Sequence, residues 1–300
     1  MPLEQPTTVV TLPGGRRLAA DDVGDPAGEV VVYLHGAPDC RIARHPDDEY
    51  AASLGVRLVA VDRPGTGASD PDPALTFASF GDDLGALLDA LGVGRCRLVA
   101  WSAGGPWALT AAAVLGRRVS AVTIFGGVAP LAAFEDPDVA TDSGGRALVV
   151  EAMLDGESTP FELAEEIATA LVPAPPIGFD LAREHVVESL GSQARAEVEQ
   201  VPGGIDMLAR SLVAALEQHG VVGLRRDFEL QLTAAGQELL LTPSCPVRVI
   251  NGEHDHIAGP AVGRWFAANL PNATAEVWPD AGHYALFGRW SSVLGAAGRV

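Results

Sequence analysis

The sequence predicts an α/β fold in which a mostly parallel sheet is covered by helices on both faces and interrupted once by a helical insertion. Three observations carry this. Apolar runs of strand length recur along the chain, continuous rather than alternating, as in strands buried on both faces. Stretches of helical periodicity lie between these runs, the alternation that builds a doubly wound sheet. The rhythm then stops between about residues 130 and 243, where the chain turns rich in Glu and Ala and offers no strand.

Taken in order, residues 7–12 and 17–22 flank Pro13-Gly14-Gly15 and read as an antiparallel hairpin at the sheet edge. Buried strands follow at 30–34, 58–61, 96–101, 121–125, 247–250 and 275–278. Phe80, Leu84, Leu87, Leu88 and Leu91 share one helical face, and residues 108–115 form a second, more apolar helix. Helical patches at 162–171 and 205–217, with Pro173-Ala174-Pro175-Pro176 between them, make the insertion a lid over the strand ends. The expected domains are a core of residues 1–130 and 242–300 and a helical cap of residues 131–241.

Composition narrows the function. Almost half of the 300 residues are hydrophobic, enough for a large core. The net charge is −19 and all 20 basic residues are arginine, so phosphate backbones and anionic membranes are repelled and neither nucleic acid nor membrane is an expected partner. Without lysine there is no Schiff-base chemistry and no P-loop. Cys40, Cys96 and Cys245 are scattered, which suggests neither a disulfide framework nor a zinc site. The opening Met-Pro-Leu-Glu-Gln has no basic or apolar region of a secretory signal, and a cytoplasmic location is expected. The uncharged stretch 98–116 is long enough to suggest a membrane span, but Gly104-Gly105-Pro106 breaks it and a buried strand–turn–helix fits better.

The chemistry centres on Leu98-Val99-Ala100-Trp101-Ser102-Ala103-Gly104-Gly105. An apolar strand runs straight into a serine with small residues two places before and after it, which suits a sharp strand-to-helix turn that lifts Ser102 clear of the sheet. A serine hydroxyl needs a base, commonly a histidine held by a carboxylate. Among seven histidines, His283 follows Asp280-Ala281-Gly282 just after the last strand. Asp255, a few residues past the strand at 247–250, is the expected acid, with Glu253 as its competitor; after the 121–125 strand no acid occurs until Glu135. Oxyanion donors are expected from the amides of Ala103 and of Ala37, in the turn His35-Gly36-Ala37-Pro38, where His35 holds the loop. Gly36, Trp101 and Trp107 are the expected substrate contacts. His254-Asp255-His256 lacks a further His or Cys at metal-site spacing, so no metal and no cofactor are expected.

Together these segments resemble the α/β-hydrolase superfamily over nearly the whole chain. The resemblance rests on His35-Gly36-Ala37-Pro38, Asp62-Arg63-Pro64-Gly65-Thr66-Gly67-Ala68-Ser69-Asp70, Trp101-Ser102-Ala103-Gly104-Gly105, Gly252-Glu253-His254-Asp255 and Gly282-His283, in that order. It departs mildly at Ala100, where glycine is commoner. The resemblance implies an eight-stranded, mostly parallel sheet with a cap inserted after the sixth strand, and structural work for Asp62 and Arg63 beneath the site. Serine rather than aspartate at 102 argues against dehalogenase and epoxide-hydrolase chemistry.

The expected activity is that of a cofactor-free serine hydrolase acting on a small-molecule ester, thioester or related acyl substrate through an acyl-enzyme. The alternative is an acyltransferase that passes the acyl group to a thiol, hydroxyl or amine, with an acyl carrier protein as donor or a peptide as acceptor. A binding module with a dead site and a cofactorless perhydrolase or lyase-like activity are further readings of the same residues. An apolar lid face, if exposed, would favour a homodimer through the cap.

Overall fold

The computed structural model describes residues 5–174, 176–233, 237, 240 and 242–295. The outermost residues of the expected core segments, 1–4 and 296–300, lie outside these, as do Pro175 and parts of the expected cap, 234–236, 238–239 and 241. The chain runs β1 (Thr8–Thr11), β2 (Arg17–Gly24), β3 (Glu29–Leu34), α1 (Asp48–Ser53), β4 (Val56–Val61), α2 (Phe77–Ala90), β5 (Cys96–Trp101), α3 (Gly104–Leu115) and β6 (Val119–Phe125). After the excursion come β7 (Val247–Gly252), α11 (Pro260–Asn269), β8 (Ala273–Trp278) and α12 (Trp290–Leu294). The eight strands lie in the order β1-β2-β4-β3-β5-β6-β7-β8. β1 and β2 pair antiparallel with their neighbours, and β4 through β8 with β3 form a parallel array.

The unbroken apolarity of the central strands has a plain cause. Side chains alternate across a strand, so Val32 and Leu34, Val59 and Val61, Leu98 and Ala100 fill the core on one face. Their neighbours Val31 and Tyr33, Leu58 and Ala60, Val99 and Trp101 fill the core on the other. α2, α3 and α11 cover the first face. Thr76 starts α2 with a capping box, its hydroxyl accepting the Ser79 amide while the Ser79 hydroxyl accepts that of Thr76. β8 departs from expectation. Among the described residues it is an edge strand paired only with β7, and of its side chains only Trp278 is buried, so its short apolar run did not signal burial on two faces.

Between β6 and β7 the chain makes α4 (Pro137–Asp142), α5 (Gly145–Leu154), α6 (Pro160–Ala170), α7 (Phe179–Ser189), α8 (Ser192–Glu199), α9 (Gly204–Glu217) and α10 (Val222–Gln231), with no strand among the described residues. The excursion leaves the sheet gradually. Ala133 and Val139 belong to the core cluster, and Asp142 ties α4 to α11 by accepting the Ala261 amide at 2.7 Å. α9 is the most deeply seated cap helix. Its Met207, Leu208, Leu212 and Leu216 bury against the cluster that contains Trp101 and Phe287, each worth roughly 1.5–3 kcal/mol of transfer free energy. No described helix is long and apolar enough to cross a membrane; the uncharged stretch at 98–116 is the end of β5, its turn and α3.

Candidate active site

β5 ends at Trp101 and α3 begins at Gly104, leaving two residues for the whole turn. Ser102 takes φ 54°, a left-handed conformation costly for a residue with a β-carbon. The turn is held by the Ser102 amide donating to the Phe125 carbonyl at 3.0 Å and the Gly105 amide donating to the Ser102 carbonyl at 3.0 Å. A β-carbon at Gly104 would run into the Leu34 carbonyl, so a small residue is needed where α3 passes β3.

His283 lies on the loop after β8, and its Nε2 stands 2.9 Å from the Ser102 hydroxyl oxygen. Its Nδ1 stands 2.8 Å from Oδ2 of Asp255, on the loop after β7. The tautomer that satisfies both contacts carries its proton on Nδ1, donates to Asp255 and accepts from Ser102. The second Asp255 oxygen accepts the amides of Ile257 at 2.8 Å and Ala258 at 2.9 Å, so the carboxylate is aimed from behind. All three side chains are buried. Glu253, the competing acid, is exposed and instead groups with His254 and Asp280, their ligand atoms within 4.8 Å of one another. That exposed trio is the described grouping able to hold a cation; His256 is not part of it, and Asp255 is committed to His283.

The turn after β3 packs against Ser102. Gly36 is buried, with space for no β-carbon beside Trp101 and Ser102. His35 is wholly buried, its Nδ1 donates to the Gly36 carbonyl at 2.7 Å, and burial together with the Arg63 charge keeps it neutral, its pKa well below the usual value. Arg63 donates to the His35 carbonyl at 2.5 Å and to the Gly36 carbonyl at 3.2 Å. Asp62 accepts the Arg41 amide and guanidinium, each at 2.8 Å, which ties the segment just beyond this turn to the loop after β4. Among the described residues neither the Ala37 nor the Ala103 amide donates to another protein group.

Two expected substrate contacts are core residues instead. Trp101 is 1 % exposed; it packs on His283, Tyr284 and Phe287, and its Nε1 donates to the His283 carbonyl at 2.9 Å. Trp107 is fully buried against Phe77 and Phe80, and its Nε1 donates to Asp227 at 2.7 Å. Both lie near Ser102 in sequence, yet Trp101 is buried beneath the His283 loop and Trp107 among the helices on the other face of the sheet. A small cavity does adjoin Ala37, lined by Asp39, Arg63 and Thr66 of the core and by Ala215, Leu216, Leu224 and Asp227 of the cap.

Three residues beside this arrangement were not among those expected from the sequence. Asp227 in α10 pairs with Arg63 at 2.6 Å. Gly126, with φ 55°, is where a β-carbon would stand 2.9 Å from Asp255 Oδ2 and 3.0 Å from His283 Nδ1. Glu197 in α8 accepts the amides on either side of His283. Only Gly126-Gly127, placed just after a strand, could have drawn attention.

Comparison with known proteins agrees with this architecture. Residues 29–152 match the sequence model of the α/β-hydrolase fold. The chain is 25% identical over 286 residues to a 2-hydroxy-6-oxononadienedioate/2-hydroxy-6-oxononatrienedioate hydrolase of Burkholderia vietnamiensis, covering 90% of this chain and 85% of that one. Among solved structures, the enol-lactonase of Burkholderia xenovorans superposes with a TM-score of 0.66 at 18% identity, over 96% of both chains. An esterase of a Rhodococcus species superposes with a TM-score of 0.62 at 21% identity, over 95% of this chain and 94% of that one. The eight-stranded sheet, the serine at the β5–α3 turn and the helices inserted after β6 give the chain the α/β-hydrolase fold.

Proposed function

We propose that this protein is a cofactor-free serine hydrolase that cleaves an ester, thioester or related acyl substrate through an acyl-enzyme on Ser102. The observation that carries the reading is the unbroken relay from Asp255 through His283 to Ser102, with contacts of 2.8 and 2.9 Å. His283 Nε2 takes the hydroxyl proton as Ser102 Oγ bonds to the carbonyl carbon. The carbonyl oxygen becomes an oxyanion beside the amides of Ala37 and Ala103, which have no protein acceptor among the described residues. Collapse expels the leaving group, which receives the proton from His283, and a water deprotonated by the same nitrogen then releases the acid. Asp255 stays ionised throughout and stabilises the imidazolium.

The names of the similar proteins, a hydrolase, an esterase and an enol-lactonase, support acyl and related hydrolytic chemistry. The test is intact mass after exposure to a fluorophosphonate, with Ser102→Ala in parallel. One adduct on the wild type and none on the variant is expected; no adduct on well-folded wild type overturns the reading. Acyl donors offered with water, thiol and amine acceptors should then give mainly free acid, and an excess of transfer product would replace the hydrolase by an acyltransferase.

A further inference from the structure

We propose that Glu197, a cap residue, is a positioning residue for His283, so that the base is aimed only while the cap sits on the core. This rests on the hydrolase reading for its kinetic consequence, though not for its geometry. His283 lies on a loop without helix or strand of its own, and its backbone is gripped at three consecutive residues. Glu197 Oε1 accepts the Gly282 amide at 2.5 Å, Trp101 Nε1 donates to the His283 carbonyl at 2.9 Å, and Glu197 Oε2 accepts the Tyr284 amide at 3.1 Å. Trp101 ties the base to the nucleophile's own strand. Glu197 ties it to α8, which enters the structure only through the insertion.

The chemistry of this contact is unusual for a mere fastener. Glu197 is 6% exposed, and among the described residues no cation pairs with it; its acceptor capacity is met by the two loop amides and by Gln193 Nε2 at 3.4 Å. A carboxylate buried on such terms is costly unless those bonds form. Its neighbour Val198 is fully buried in the cluster that holds Trp101, Ala281 and Phe287, so α8 cannot shift without disturbing the same loop. If α8 lifts, both amides lose their acceptor together, and the imidazole is left with side-chain contacts alone. Misplacing a catalytic group by about 1 Å costs on the order of 100-fold in rate.

The test uses the full chain with Glu197→Gln, Glu197→Asp and Glu197→Ala, and has two readouts besides the melting temperature. The first is the strongly deshielded proton of the His283–Asp255 hydrogen bond in proton NMR, which reports base geometry whether or not the enzyme turns over. The second is the rate of fluorophosphonate labelling at Ser102. Wild type should show the resonance; Glu197→Gln and Glu197→Ala should lose it while folded and label at least about tenfold more slowly. Glu197→Asp, shorter by one methylene, should recover part of the rate. An unchanged resonance and labelling rate with a lowered melting temperature would overturn the proposal, leaving Glu197 a fold anchor. A resonance lost in Glu197→Gln with no labelling of any form, wild type included, would sink the hydrolase reading and leave the positioning role standing. Should Glu197→Gln fail to fold, Gln193→Ala removes only the amide that steadies Oε1; a fall of about threefold in labelling is expected, and no change overturns the proposal.

Discussion

Arg63, on the loop after β4, and Asp227, in cap helix α10, form a buried ion pair at 2.6 Å. The same guanidinium holds the carbonyls of His35 and Gly36, so a cap carboxylate fixes the cation that fixes the turn presenting Ala37. The other Asp227 oxygen accepts Trp107 Nε1 at 2.7 Å and Gln231 Nε2 at 2.9 Å. Such a pair need not add net stability, because desolvation offsets attraction, yet removing one partner strands the other.

Asp227→Ala should therefore destabilise the protein by about 3–5 kcal/mol, since it leaves a buried arginine without its counter-charge and two buried N–H groups without an acceptor. Urea denaturation checks this. Asp227→Asn should cost less, because Asn keeps an oxygen for Trp107. A loss below about 1 kcal/mol for the alanine variant would mean that the pair does not hold core to cap.

Gly126→Ala should cost activity out of proportion to stability. Its φ of 55° asks for roughly 1–2 kcal/mol from any residue with a β-carbon. The added carbon would also press on Asp255 Oδ2 and His283 Nδ1, forcing the contact between them open. Fluorophosphonate labelling should slow by roughly 100-fold while the fold survives. Labelling at the wild-type rate would show that the loops give way freely.

Asp255→Asn should leave the fold intact and lower the acylation rate by about 10³–10⁴-fold. The Asn oxygen can still accept the Ile257 and Ala258 amides, but its NH2 then faces His283 Nδ1 and selects the tautomer with a proton on Nε2, which cannot take one from Ser102. Single-turnover labelling of Asp255→Asn beside Glu253→Gln checks this, with no comparable loss expected for the exposed Glu253.

Asp39 links stability to pH. Burial pushes its carboxyl up from 3.8 to about 6, against the lowering effects of the Ser211 hydroxyl and the Arg63 charge. The folded state then binds more protons than the unfolded chain between those values, so stability falls as pH rises from about 4 to 6 and the loss persists above. Asp39→Asn should be more stable than wild type by about 2–3 kcal/mol at pH 7, with the gap closing toward pH 4. Thermal denaturation at both pH values measures it; a constant gap would place the effect elsewhere.

Local sequence carried the strands, the turn and the order of the site. The apolar run at 96–101 read as a buried strand, which it is, and Ser102 before Ala103-Gly104-Gly105 makes so tight a turn because its neighbours are small. Asp255 was legible because the loop after β6 offers no acid where one would be needed. Periodicity failed at β8, where a strand-like run lies at the sheet edge because, among the described residues, no ninth strand pairs with it. It also misjudged Trp101 and Trp107, since nearness in sequence to Ser102 does not say which side of the strand or helix an indole occupies.

The sequence by itself determined what depends on adjacent residues: the α/β alternation, the helical excursion after the sixth strand, and the places of Ser102, Asp255 and His283 at the ends of their strands. Only the tertiary structure decided how the cap takes part. Glu197 and Asp227 are two acids among the many of an acidic helical segment, and nothing local separates them from solvated neighbours. Each finds its partners far along the chain, Gly282 and Tyr284 for one and Arg63 for the other. Burial makes those contacts strong, and burial is a property of packing rather than of local sequence.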